Sequence, residues 1–87
     1  MKTVNELREE IDKIDAQIIK KIALREKKSR QIGALKKQSG TKIKDPAREE
    51  QLKILHANWS EEQGLSPEFI EALFKLIISH SRRIQFT

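Results

Sequence analysis

The chain has 87 residues, enough for one domain, and a domain of this size buries only about 60% of its unfolded surface, so it is marginally stable alone. Hydrophobic residues make up 37% and charged residues 36%, a balance that suits thin helices with wide solvated faces or subunits that share a core. The net charge of +5 fits nucleic acid, an acidic membrane surface or a small polyanion, and the absence of cysteine excludes disulfides and cysteine-based zinc sites.

The chain opens Met1-Lys2-Thr3-Val4-Asn5-Glu6, without the apolar run of a secretory leader, and no segment approaches membrane-spanning length. A cytoplasmic protein without a membrane partner is expected. Thr3-Val4-Asn5-Glu6 has capping-box form, and Leu7, Ile11, Ile14, Ile18 and Ile22 follow at spacings of four and three. The first helix therefore spans about 4–37, ending at Gln38-Ser39-Gly40-Thr41, with Gly33 tolerated inside it at a cost of about 1 kcal/mol. Asp45-Pro46 reads as an N-cap with proline at the first helical position, and starts a second helix over about 46–63. Leu52, Leu55 and Trp59 supply its buried face, and Gly64 ends it. Ser66-Pro67-Glu68 repeats the start signal for a third helix over 67–85, which buries Ile70, Leu73, Phe74, Ile77 and Ile84. The expectation is a single all-α domain over 1–87 with three helices, one very long.

That long helix would extend roughly 50 Å at about 1.5 Å per residue. A compact 87-residue globule has a radius of gyration of about 12 Å. One protomer cannot cover such a rod, so a second copy, antiparallel under two-fold symmetry, is the simplest partner. An intertwined six-helix homodimer follows.

The apolar stripe of the first helix is interrupted by charge. Ile11, Ile18, Arg25 and Ile32 are seven apart and drift only about 20° per step, and Lys36 returns to within roughly 20° of the same line. Buried cations need anionic partners. Arg25 and Lys36 either bracket a small anion or pair with Asp45, Glu49 or Glu50. Arg8 lies seventeen residues before Arg25, roughly 25 Å away along the helix. It either snorkels at the surface or, in an antiparallel dimer, closes the site of the partner. On the third helix Ser81 and Gln85 stand where the Phe74–Ile77 face would continue, which fits a polar site or a fraying terminus. Asp45-Pro46-Ala47-Arg48-Glu49 clusters charge at a helix start, which is also ordinary capping.

Four segments together resemble the all-helical bacterial chorismate mutases over nearly the whole chain. Leu7-Arg8-Glu9-Glu10-Ile11-Asp12-Lys13-Ile14-Asp15 resembles the family's L-R-x-x-I-D-x-I-D opening. Arg25 with Lys36 eleven residues on, Asp45-Pro46-Ala47-Arg48-Glu49 as D-x-x-R-E, and Phe74 to Ser81 with Gln85 match the rest in order. The resemblance implies a cytoplasmic homodimer that rearranges chorismate to prephenate in the shikimate route to aromatic amino acids, with no cofactor and no metal. It also implies roles: Arg25 and Lys36 of one chain and Arg8 of the other on the substrate carboxylates, and Lys36 and Gln85 on the ether oxygen. Glu49 and the backbone of Asp45 would hold the ring hydroxyl, with Arg48 and Ser81 completing the lining. Isochorismate-pyruvate lyases and 4-amino-4-deoxychorismate mutases share the scaffold and stand as alternatives. A basic helical nucleic-acid module is the distant one, opposed by interspersed acids and 5% aromatics. Arg82-Arg83 reads as a solvated face, and His56 and His80 have no metal spacing.

Overall fold

A computed structural model describes residues 1–86. Those residues form three helices and no strand: α1 (Val4–Ser39), α2 (Pro46–Glu62) and α3 (Pro67–Gln85). Each start is set by the local chemistry expected of it. The hydroxyl of Thr3 accepts from the Glu6 amide at 3.1 Å, the Asp45 carboxylate from the Arg48 amide at 3.1 Å, and the Ser66 hydroxyl from the Phe69 amide at 3.3 Å. Each of these satisfies one donor that the first turn leaves without an intrahelical partner. Pro46 and Pro67 occupy first-turn positions, where the missing N–H costs nothing. Gly40 ends α1 at φ 70°, and the Thr41 amide donates to the Lys36 carbonyl at 2.9 Å.

Helix α3 packs against both of its neighbours, whereas α1 and α2 do not pack on each other. It runs parallel to the second half of α1, from Ile22 beside Leu76 and Ile77 to Gly33 beside Gln85. It runs antiparallel to α2, with Lys53 near Glu71 at one end and Glu49 near Arg82 at the other. A gap therefore remains between α1 and α2, floored by α3.

The molecule is a rod, 57 × 24 × 15 Å, with a radius of gyration of 16.3 Å. Among the described residues Ile84 is the single large hydrophobic that is buried, at 8% exposure. Leu7, Ile11, Ile14, Ile18 and Ile22 lie 41–57% exposed along α1. Trp59 and Leu73, expected to be buried, are 53% and 38% exposed. Periodicity identified the apolar faces, but a three-helix layer in which only one helix has two neighbours cannot cover them.

Candidate active site

The gap between α1 and α2 holds a cavity of about 300 Å³, within the range of pockets that take small molecules. Arg25 and Lys36 come to it from α1, Asp45, Arg48 and Glu49 from the start of α2, and Ser81 and Gln85 from the end of α3. Seven residues separated widely in sequence thus line one space. Arg8 does not. It sits on the half of α1 that projects beyond the other helices, roughly 25 Å from Arg25 by helical rise.

The two cations on the apolar line of α1 have no carboxylate partner among the described residues. Arg25 is held by the Ser81 hydroxyl, which in turn donates to the Ile77 carbonyl at 2.9 Å. Lys36 donates to the Ile43 carbonyl at 2.8 Å. An ammonium has three N–H donors, so two remain for a ligand. The ion pairs with Asp45, Glu49 or Glu50 that would have given these cations a purely structural role do not form. Arg48 is exposed and turns back along α2, donating to the Gln51 side chain at 2.6 Å.

The electrostatics carry the same imbalance. Five cations (Arg25, Lys28, Lys36, Arg48, Arg82) face two carboxylates (Asp45, Glu49) around the cavity. Burial, and then the like charge of Arg48, push the Arg25 guanidinium below its ordinary pKa. His56, stacked on Phe74 with ring centroids 3.9 Å apart, is pushed below its ordinary 6.5 by burial and then by Arg25 and Arg48. A site in which cations disfavour one another is relieved by an incoming anion.

A pH effect on stability follows from His56. Its folded-state pKa lies below the unfolded value of 6.5. The unfolded chain therefore binds the proton first, and the stabilisation from keeping the ring neutral is present above 6.5 and lost as pH falls through the folded value. Thermal melts of wild type and His56→Gln between neutral pH and about pH 5 are expected to show the wild type losing more on acidification. Parallel curves would contradict this.

Among the described residues three buried side-chain polar atoms have no hydrogen-bond partner: Glu49 Oε2, Arg82 Nε and Gln85 Oε1. All three belong to residues of this cavity, and buried polar atoms are normally satisfied. Gln85 belongs to this cavity alone, whereas Glu49 and Arg82 stand on the wall it shares with a second groove. A larger groove of about 510 Å³ lies along the α2–α3 seam, and there Lys53 and Glu71 approach to 3.8 Å. It lacks the unpaired α1 cations and is the poorer candidate.

Two residues matter more than the sequence reading allowed. Arg82 was expected on a solvated face with Arg83. Arg83 is exposed, but Arg82 is half-buried, lines the cavity and lies 3.8 Å from Glu49. The signal was available: Phe74, Ile78 and Arg82 are four apart on one half-buried line of α3, so Arg82 is another cation where the pattern reserves an apolar residue. Gly33 is the second. A Cβ built there would meet the Gln85 carbonyl oxygen at 2.6 Å and its Cα at 2.8 Å, so this glycine lets the Gln85 turn rest on α1. Alanine gains about 1 kcal/mol in helix propensity, but overpacking against backbone costs about 1–3 kcal/mol. Gly33→Ala is expected to lower the urea midpoint and to displace Gln85. An unchanged or higher midpoint would show that α3 yields freely.

Among the described residues no group of three or more His, Asp or Glu is placed to hold a metal ion, and no helix is long and apolar enough to cross a membrane. The family model described as chorismate mutase type II matches residues 7–86. A chorismate mutase of Methanocaldococcus jannaschii is 30% identical over 80 residues, which are 92% of this chain and 81% of that protein. No solved structure matches significantly.

Proposed function

Because the chain belongs to the chorismate mutase type II family, we propose that the cavity between its three helices is where chorismate is held and rearranged. The enzyme is a chorismate mutase, an isomerase that converts chorismate to prephenate in the shikimate route. The reaction breaks an ether C–O bond as a C–C bond forms, and no proton leaves or arrives. Catalysis then reduces to two tasks: folding a flexible dianion into its reactive conformer, and stabilising charge on the ether oxygen as its bond to carbon lengthens.

The residues present suit both tasks. Arg25 and Lys36 grip the substrate carboxylates, with Ser81 holding the Arg25 fork in place. Orientation of this kind lowers a barrier by several kcal/mol. The remaining N–H donors of Lys36 and the Nε2–H of Gln85, with the amide turned so that Nε2 rather than Oε1 meets the substrate, donate to the ether oxygen, and a fixed donor at a site of developing charge contributes about 3–4 kcal/mol. Glu49 accepts from the ring hydroxyl with the help of the Asp45 backbone, and Arg48 adds positive field at the rim. The observation that carries this reading is that, among the described residues, Arg25 and Lys36 have no carboxylate partner and are held by Ser81 and the Ile43 carbonyl instead.

The assembly is a homodimer in which the partner's Arg8 closes each cavity. Two features support this: the apolar stripe of α1 is exposed from Leu7 to Ile22, and Arg8 projects away from its own site. A second α1 running antiparallel covers the stripe and brings the start of one helix beside the middle of the other. The substrate is expected to be chorismate itself. Incubating the enzyme in parallel with chorismate, isochorismate and 4-amino-4-deoxychorismate tests this; prephenate from the first is the expected product. Faster consumption of either of the others would overturn the assignment.

A further inference from the structure

Among the described residues the buried polar side chains are three serines: Ser29, Ser60 and Ser81. Two of them have work within the fold. Ser60 donates to the Leu65 carbonyl at 3.1 Å, and Ser81 donates to the Ile77 carbonyl at 2.9 Å while holding Arg25. The Ser29 hydroxyl has no hydrogen-bond partner among the described residues. In mid-helix an alanine would fill the same space with better propensity, so packing does not account for this oxygen. An acceptor without a donor lies in the same cavity, for Ser29 and Gln85 both line it and Gln85 Oε1 is shielded from solvent and unpartnered. Ser29 and Gly33, one turn apart, are the buried residues of α1, and the Gln85 backbone rests on Gly33. Helical side chains lean toward the N-terminus of their own helix. Because α3 runs parallel to α1 here, the Gln85 side chain leaves Gly33 in the direction of Ser29.

Accepting the reading of the cavity given above, we infer that Ser29 is a positioning residue: its hydroxyl donates to Gln85 Oε1 and so turns the Nε2 end of that amide toward the ether oxygen of the substrate. A side-chain amide carries an acceptor and a donor on one carbon and exchanges them by a half-turn. With Oε1 forward, lone pairs would face the ether oxygen and no donor would meet its developing charge. A donor behind the amide decides between the two orientations. Arg25 and Lys36 are already on Ser81 and the Ile43 carbonyl, and their other N–H groups go to the substrate. Ser29 is the neutral donor, carried on the rigid backbone of α1. Its hydroxyl and Gln85 Oε1 are not bonded to each other in this structure, and neither has another partner to give up in becoming so. The effect of Ser29 on the reaction passes through Gln85.

The test is a double-mutant cycle of Ser29→Ala and Gln85→Ala, with kcat and KM for chorismate and the urea midpoint measured for each variant. Ser29→Ala is expected to lower kcat about fivefold, the scale of one lost hydrogen bond between neutral groups. KM stays within about twofold, because the substrate is still gripped while a donor used in the transition state is no longer presented. The urea midpoint stays at or above that of wild type. Gln85→Ala is expected to lower kcat by about 10²–10³, which leaves turnover measurable for an enzyme whose acceleration is about 10⁶ or more. In that background Ser29→Ala changes kcat by less than about twofold, since the group it positions is gone. A purely structural serine would lower the midpoint and act alike in both backgrounds. An unchanged kcat in folded Ser29→Ala, or a loss of equal size with and without Gln85, overturns the inference. If Ser29→Ala does not fold, Ser29→Cys takes its place, a weak donor of similar size; an unchanged kcat there, or a loss independent of Gln85, has the same consequence. A wild type that fails to rearrange chorismate, or Gln85→Ala with full kcat, overturns instead the assignment on which this rests, so the two failures are distinguishable.

Discussion

Replacing Lys36 by alanine is expected to lower kcat/KM by about a thousandfold or more while leaving a folded, helical protein. Removing one donor aimed at developing charge costs about 10²–10³ in kcat, and the same substitution takes away one of the two cations proposed to grip the substrate carboxylates. The structural cost is small by comparison. Lys36 is half-buried, and its one hydrogen bond, to the Ile43 carbonyl, ties the end of α1 to the following loop. Losing such a bond costs about 1 kcal/mol. Circular dichroism and sedimentation of Lys36→Ala should therefore match wild type while turnover collapses. Lys36→Arg is not expected to rescue it, since a planar fork cannot place its donors where an ammonium does. More than a tenth of wild-type activity in Lys36→Ala would remove this residue from the mechanism.

Two inactive variants should restore one another. In the proposed homodimer, Arg8→Ala and Arg25→Ala would each damage both sites. In a heterodimer, one cavity combines an intact Arg25 with an intact Arg8 from the other chain, and the second cavity carries both defects. Random exchange of equal amounts makes half the dimers mixed, so about a quarter of wild-type activity should return under two-fold symmetry. The measurement is activity after unfolding and refolding the mixture, with heterodimer content checked by a mass tag on one chain. Mixed dimers that stay inactive would show that Arg8 serves its own chain or none. The length of α1 makes that outcome hard to accommodate, because helical rise keeps Arg8 roughly 25 Å from its own Arg25.

Helix starts were readable residue by residue, because each is decided within one turn, while α1 runs to Ser39 rather than about 37 and α2 stops at Glu62 rather than about 63. Thr3 bonds to the Glu6 amide, Asp45 to Arg48 and Ser66 to Phe69, all three residues apart. The cations on the α1 stripe were also readable, since a repeat of seven keeps Arg25 in line with Ile11, Ile18 and Ile32 whatever lies opposite. Whether those cations were paired was not readable. Both answers fit the pattern, and only the position of α3, which keeps α1 and α2 apart, leaves Arg25 on Ser81 and Lys36 on a backbone carbonyl. Arg82 was misjudged for a related reason: beside Arg83 in sequence it looks like solvated charge, although the two are about 100° apart on a helix and meet different surroundings.

The sequence alone was enough to establish an all-helical chain, the starts of its helices, a first helix too long for one small globule, and polar residues planted on apolar lines. Those properties arise from contacts within four residues or from sheer length. Bringing Arg25, Lys36, Glu49, Ser81, Arg82 and Gln85 round one space required the packing of distant segments. The same holds for the approach of Gln85 to Gly33, which depends on the angle at which two helices cross. Side chains far apart in sequence acquire their partners only when α3 is laid between the others, and local periodicity has no means of recording that choice.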